Sequence, residues 1–125
     1  MVKKVLVVDD EPYIARVIRF KLEQEGFTVI SAGNGLEGLQ RMKEEKPDLV
    51  ILDVMMPGMD GFEVYRQMKE EEELKKIPVI ILTAKGQEVD RQKGLELGAA
   101  DYITKPFSPT KLLQQIKTIV GESEK

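Results

Sequence analysis

The stretch Pro47-Asp48-Leu49-Val50-Ile51-Leu52-Asp53-Val54-Met55-Met56-Pro57-Gly58-Met59-Asp60-Gly61 decides the fold. Four consecutive aliphatic residues with no polar alternation suit a parallel strand covered on both faces. The run stops at an acid and then breaks into Pro and Gly. Working outward, runs of similar character lie at residues 5–8, 28–32, 79–82 and 102–104. Between them lie segments of about 10–14 residues with Glu, Lys, Gln and Leu at helical spacing. Regular alternation of strand and helix predicts an α/β fold with a parallel five-stranded sheet and right-handed crossovers.

With 125 residues, the chain has room for one domain and no second. The domain is expected over 1–121, with 122–125 a frayed tail after the helix-stopping Gly121. The acidic run at 70–73 and Lys75-Lys76 read as a solvated helix end. A net charge of −3 argues against direct nucleic-acid binding. The amino-terminal apolar run is four residues long and ends in two acids, unlike a secretory signal. No run approaches the ~18 apolar residues of a membrane span. A cytoplasmic, monomeric protein is the expectation. The chain has no Cys and no His, which removes thiolate sites, His-metal sites, Ser-His catalysis and any role as a phosphohistidine donor. Chemistry must come from carboxylates, Lys, hydroxyls or a metal.

Ligands in open α/β sheets bind beyond the carboxyl ends of the strands. Here those ends carry Asp9-Asp10-Glu11, Asp53, Thr83 and Thr104-Lys105. Each alone has an ordinary reading as a helix cap, a turn former or a surface lysine. Together they describe a site. If the first and third strands are neighbours, Asp9, Asp10 and Asp53 converge, and two bare carboxylates ~4 Å apart repel by about 4 kcal/mol at an effective dielectric of 20. A compensating cation is therefore expected. Oxygen ligands without His or Cys suit Mg²⁺, with Mn²⁺ as an alternative. A carboxylate can act as nucleophile towards phosphorus, Lys105 can neutralise a phosphoryl oxygen and Thr83 can donate to another.

These residues, with the segments Val7-Val8-Asp9-Asp10-Glu11, Ile80-Ile81-Leu82-Thr83-Ala84, Leu97-Gly98-Ala99-Ala100-Asp101-Tyr102 and Lys105-Pro106-Phe107, make the chain resemble the receiver domain of bacterial response regulators over nearly its whole length. The resemblance implies a flavodoxin-like (βα)5 three-layer sandwich with strand order 2-1-3-4-5. It implies that Asp53 is the phosphoacceptor, taking its group from a histidine kinase or phosphotransfer protein and catalysing its own phosphorylation and dephosphorylation rather than turnover of a substrate. It further implies metal ligation by Asp10, Asp53 and the main-chain carbonyl of Met55, with Asp9 acting through water. Thr83 and Lys105 would contact the phosphoryl group, and Tyr102 would be the switch aromatic reshaping the helix 4–strand 5–helix 5 face for an unidentified downstream protein. Ile14, Val17, Pro106 and Phe107 would form the kinase-docking patch. Met55 and Lys85 would line the site rim, and Lys105-Pro106 would be a cis peptide.

Rival readings exist. Gly33-Asn34-Gly35-Leu36-Glu37-Gly38 fits a dinucleotide-binding glycine pattern, but it follows the second strand, away from the switch point. Its simpler reading is a turn with Asn34 at a helix cap. Phosphatases of the haloacid dehalogenase type carry a second acid where Met55 stands. An unphosphorylated interaction module would have no need of the acid set. Regulators with winged-helix outputs typically have an acid at Ala100 and an Arg at Gln115. Departure at both favours a receiver working alone.

Overall fold

The computed structural model describes residues 3–84 and 88–121, with side chains for all of these except 88–90. Lys85 and the tail residues 122–125 lie outside the described residues. The elements are β1 (Lys4–Val8), α1 (Pro12–Gln24), β2 (Thr28–Ala32), α2 (Gly35–Glu45), β3 (Leu49–Asp53), α3 (Gly61–Lys69), β4 (Val79–Ala84), α4 (Glu88–Glu96), β5 (Asp101–Lys105) and α5 (Pro109–Val120). The strands form one parallel sheet in the order β2-β1-β3-β4-β5. The strand order reverses between β1 and β3, the sheet growing one way to β2 and the other way through β3, β4 and β5, which opens a crevice at their carboxyl ends.

The pleat sends alternate side chains to opposite faces, and each face has its own core. Leu6, Val8, Val50, Leu52, Val79 and Ile81 pack on the side carrying Met42, Val64, Tyr65 and Met68 of α2 and α3. Val5, Val7, Leu49, Ile51, Ile80 and Leu82 pack against Ile18, Leu22, Leu112, Leu113 and Ile116 of α1 and α5. Helix starts are encoded locally. Pro12 and Pro109 occupy first turns, and the side chains of Asn34, Asp60 and Ser108 accept from the amides of Glu37, Glu63 and Lys111. Gly121 closes α5 in the left-handed region, its amide donating to the Lys117 carbonyl.

Three strands run longer than their apolar cores, so Asp53, Thr83 and Lys105 belong to the sheet itself rather than to the loops after it. The acidic run at 70–73 begins at the C-cap of α3, the helix end expected for it. It follows α3 in the turns leading to β4, where buried Leu74 anchors it.

Candidate functional site

Val8 pairs with Leu52 across β1 and β3, so Asp9 and Asp53, each one residue further along, come level. Asp53 is itself paired with Leu82, and Thr83 and Ala84 pair with Thr104 and Lys105. The register thus gathers one edge of functional groups along the carboxyl ends of four strands. Asp9, Asp53 and Thr83 are 3%, 1% and 3% exposed, and among the described residues they are the only buried polar or charged side chains. In a core of Val, Ile and Leu, burial of two acids without a role would be expensive.

One carboxylate oxygen each from Asp9, Asp10 and Asp53 fall within 4.8 Å of one another. Asp9 Oδ1 accepts from the Glu11 amide at 2.9 Å and Asp53 Oδ1 from the Met55 amide at 3.0 Å. These two turn contacts aim both carboxylates at the same point. Lys105 Nζ reaches in from β5, donating to Asp53 Oδ2 at 3.2 Å and to Glu11 Oε1 at 3.0 Å. It also lies 3.2 Å from Asp9 Oδ2, close enough to pair as a charge but outside hydrogen-bond geometry. Asp9 Oδ2 is consequently buried with no donor.

Burial pushes the Asp53 carboxyl up to about 6; the Met55 amide opposes this, the Asp9 charge adds to it, and Lys105 opposes it. Burial alone would lower the pKa of Lys105. The hydrogen bond that Lys105 donates to Glu11 and the charges of Asp53 and Asp9 outweigh that and hold the ammonium above the ordinary lysine range. The expectation that the acids need an added cation therefore takes a correction: Lys105 already supplies part of the compensation. The donor set nevertheless fits a hard divalent ion, because it offers three clustered carboxylates and one buried oxygen that lacks a donor.

Gly61 fixes the floor of the site. A Cβ there would overlap the main-chain oxygen of Asp53 and sit 2.8 Å from Val54 Cα, so only glycine lets α3 begin this close behind the acid. The Met55 side chain is 62% exposed at the rim. Tyr102 is partly buried and packs against the α2/α3-side core. It is paired with Ile81, and Thr83 lies two residues further along the same face. The Arg91 guanidinium stands 4.7 Å from its ring centre. The Lys105–Pro106 peptide is cis.

The four residues of the expected docking patch differ in exposure. Ile14 and Phe107 are partly buried and pack on the α1/α5-side core, while Pro106 is exposed. The apolar surface of α1 centres on Tyr13 and Phe20, 64% and 68% exposed, beside Val17. The glycine pattern after β2 serves packing. A Cβ on Gly35 would lie 2.7 Å from Val64 Cγ2 of α3, and one on Gly38 would lie 3.0 Å from Val8 of β1. The amides there are used within a capping box, Glu37 N–H donating to Asn34 Oδ1 and Gly33 N–H to Glu37 Oε1. Sequence reasoning missed the role of Glu11 as a direct partner of Lys105. The two stand 94 residues apart, and only the β1–β3–β4–β5 register brings them together.

The model of the response regulator receiver domain family matches residues 5–117. The chain is 48% identical over 124 residues to the alkaline phosphatase synthesis transcriptional regulatory protein PhoP of Bacillus subtilis (strain 168), covering 99% of this chain and 51% of that protein. It thus spans about half the length of this curated relative. Among solved structures, it is similar to chemotaxis response regulator CheY4 of Vibrio cholerae, with a TM-score of 0.88, 32% identity, and 95% and 99% of the two chains covered. The receiver domain of the Francisella response regulator 1452 matches with a TM-score of 0.87, 33% identity, and 98% and 99% covered.

Proposed function

The chain belongs to the response regulator receiver family, and from that premise we propose that Asp53 accepts a phosphoryl group from a phosphohistidine in a divalent-metal-dependent reaction. The observation that carries this reading is the convergence of buried Asp9, Asp53 and Thr83 with Lys105 on one strand-end crevice. Asp53 Oδ2 is the attacking atom. It forms the new P–O bond as the P–N bond to the donor histidine breaks, and the departing imidazole keeps the bonding electrons. A carboxyl with a pKa of about 6 is mostly ionised at pH 7, as a nucleophile must be. Asp53 Oδ1 stays tethered to the Met55 amide, which keeps the carboxylate from rotating away. Lys105 can shift one of its hydrogen bonds to a phosphoryl oxygen, and Thr83 offers a hydroxyl from the neighbouring strand.

Asp10, Asp53 and the Met55 main-chain carbonyl would hold Mg²⁺ or Mn²⁺, with Asp9 acting through water. The ion would supply charge neutralisation at the phosphoryl oxygens. The chain is a phosphoacceptor that promotes its own modification and its reversal, not a turnover enzyme. Its partners are a histidine kinase or phosphotransfer protein and a downstream protein, met in the cytoplasm. Among the described residues no helix is long and apolar enough to cross a membrane. Phosphorylation draws Thr83 inward, and Tyr102 on the same sheet face responds, altering the α4–β5–α5 surface. A receiver working alone was the expectation from Ala100 and Gln115. The twofold length of the Bacillus relative gives that expectation no support.

Intact-mass analysis after exposure to acetyl phosphate and Mg²⁺ tests the proposal. A phosphate-sized adduct is expected on the wild type and none on Asp53→Asn; an adduct surviving in the variant would move the acceptor elsewhere.

A further inference from the structure

An ammonium has three donor hydrogens, and Lys105 is surrounded by three carboxylates: Glu11 at 3.0 Å, Asp9 at 3.2 Å and Asp53 at 3.2 Å. Two of those hydrogens are given to Glu11 and Asp53 while Asp9 shares the charge, so an incoming phosphoryl group competes with carboxylates already paired to the cation. The three are unequal. The side chains of Asp9 and Asp53 are 0% and 2% exposed, so a charge abandoned there would lose its counter-ion without gaining water. Glu11 is 59% exposed and can be rehydrated on release.

We propose that Glu11 is a positioning residue that holds Lys105 in reserve and competes with the phosphoryl group for it, so that it sets how tightly the phosphorylated state is held. The inference rests on Asp53 being the phosphoacceptor. Glu11 does not owe its place to helix capping: it occupies the N-cap position of α1, yet its side chain makes no cap hydrogen bond. Its amide, not its side chain, orients Asp9. A side-chain substitution therefore leaves both the helix start and the acid cluster in place.

The test measures the affinity of beryllium trifluoride, a phosphoryl mimic, by NMR titration at saturating Mg²⁺ for the wild type, Glu11→Gln and Glu11→Asp. Glu11→Gln is expected to bind the mimic about two- to fivefold more tightly, the range set by a partly exposed ion pair. Glu11→Asp keeps the charge but falls short of Lys105, so it should match Glu11→Gln. A value for Glu11→Gln equal to or weaker than wild type overturns the proposal. Glu11→Asp behaving like wild type overturns it as well, since repulsion through space would then explain the gain. Failure of the wild type itself to bind the mimic would instead strike at Asp53 as acceptor.

Discussion

Helices α5 and α4 flank the same strand, β5, but are held to the sheet by different forces. α5 buries Leu112, Leu113 and Ile116 against β1, β3 and β4 side chains, and α1 packs alongside it. On α4, among residues 91–96, only Gly94 is buried. A Cβ on Gly94 would come within 3.0 Å of Ile81 Cγ1, so the helix lies close to β4 through the absence of a side chain. Its attachments among the described side chains include two cation–π contacts, Arg91 over the Tyr102 ring and Lys93 over the Phe62 ring, each at 4.7 Å. Apolar burial is strong and insensitive to charge, whereas cation–π contacts at a surface are worth only about 0.5–1 kcal/mol each. Among the described side chains, the difference predicts a stiffer α1/α5 side and a more easily opened face beside Tyr102, the face that the proposed switch would reshape.

That contrast can be broken most forcefully on the rigid side. Ile116→Ala is expected to lose about 2–5 kcal/mol of unfolding free energy, read from urea denaturation. A loss near that of an α4 surface substitution would erase the distinction.

A smaller effect tests the crevice between the two sides. The raised pKa of Asp53 means that the folded state holds its proton more tightly than the unfolded chain, so this group's stabilisation is present below pH ~4 and is lost as pH rises to about 6. A shift from 3.8 to about 6 corresponds to roughly 3 kcal/mol at most. Asp53→Asn lacks this titration. Metal-free urea unfolding should therefore show the variant gaining on the wild type between pH 4 and 6.5, and a constant difference would refute the assigned cause.

The smallest effect belongs to α4. Arg91→Ala should change unfolding free energy by no more than about 1 kcal/mol while speeding amide hydrogen exchange in α4. Unchanged exchange would show that the Tyr102 contact does not hold the helix.

Much of this was legible in the sequence, for reasons that can be stated residue by residue. The aliphatic run 49–52 is too short for a helix and too apolar for a half-exposed strand, and it repeats between amphipathic segments; that fixed the class of sheet. Asp53, Thr83 and Lys105 stood out because polar residues at strand ends must either face water or share a site. What could not be read was distance. Lys105 lies 3.2 Å from Asp9 although β3 and β4 separate β1 from β5, a reach across the sheet edge that strand order alone does not reveal, so the repulsion argument treated the acids as bare. Likewise, helix periodicity put Ile14 and Phe20 on one helix without showing which of them the core would cover. The glycine pattern after β2 resembled a ligand site because packing and pyrophosphate binding call on glycine for the same reason, close backbone approach.

The account stands or falls on whether the strand-end acids bind a divalent ion despite Lys105 lying among them. Isothermal titration calorimetry with MgCl₂ at pH 7 measures this directly. One site is predicted in the wild type, with affinity sharply reduced in both Asp10→Ala and Asp53→Asn. Absence of uptake by the folded wild type, or uptake indifferent to both substitutions, would contradict it.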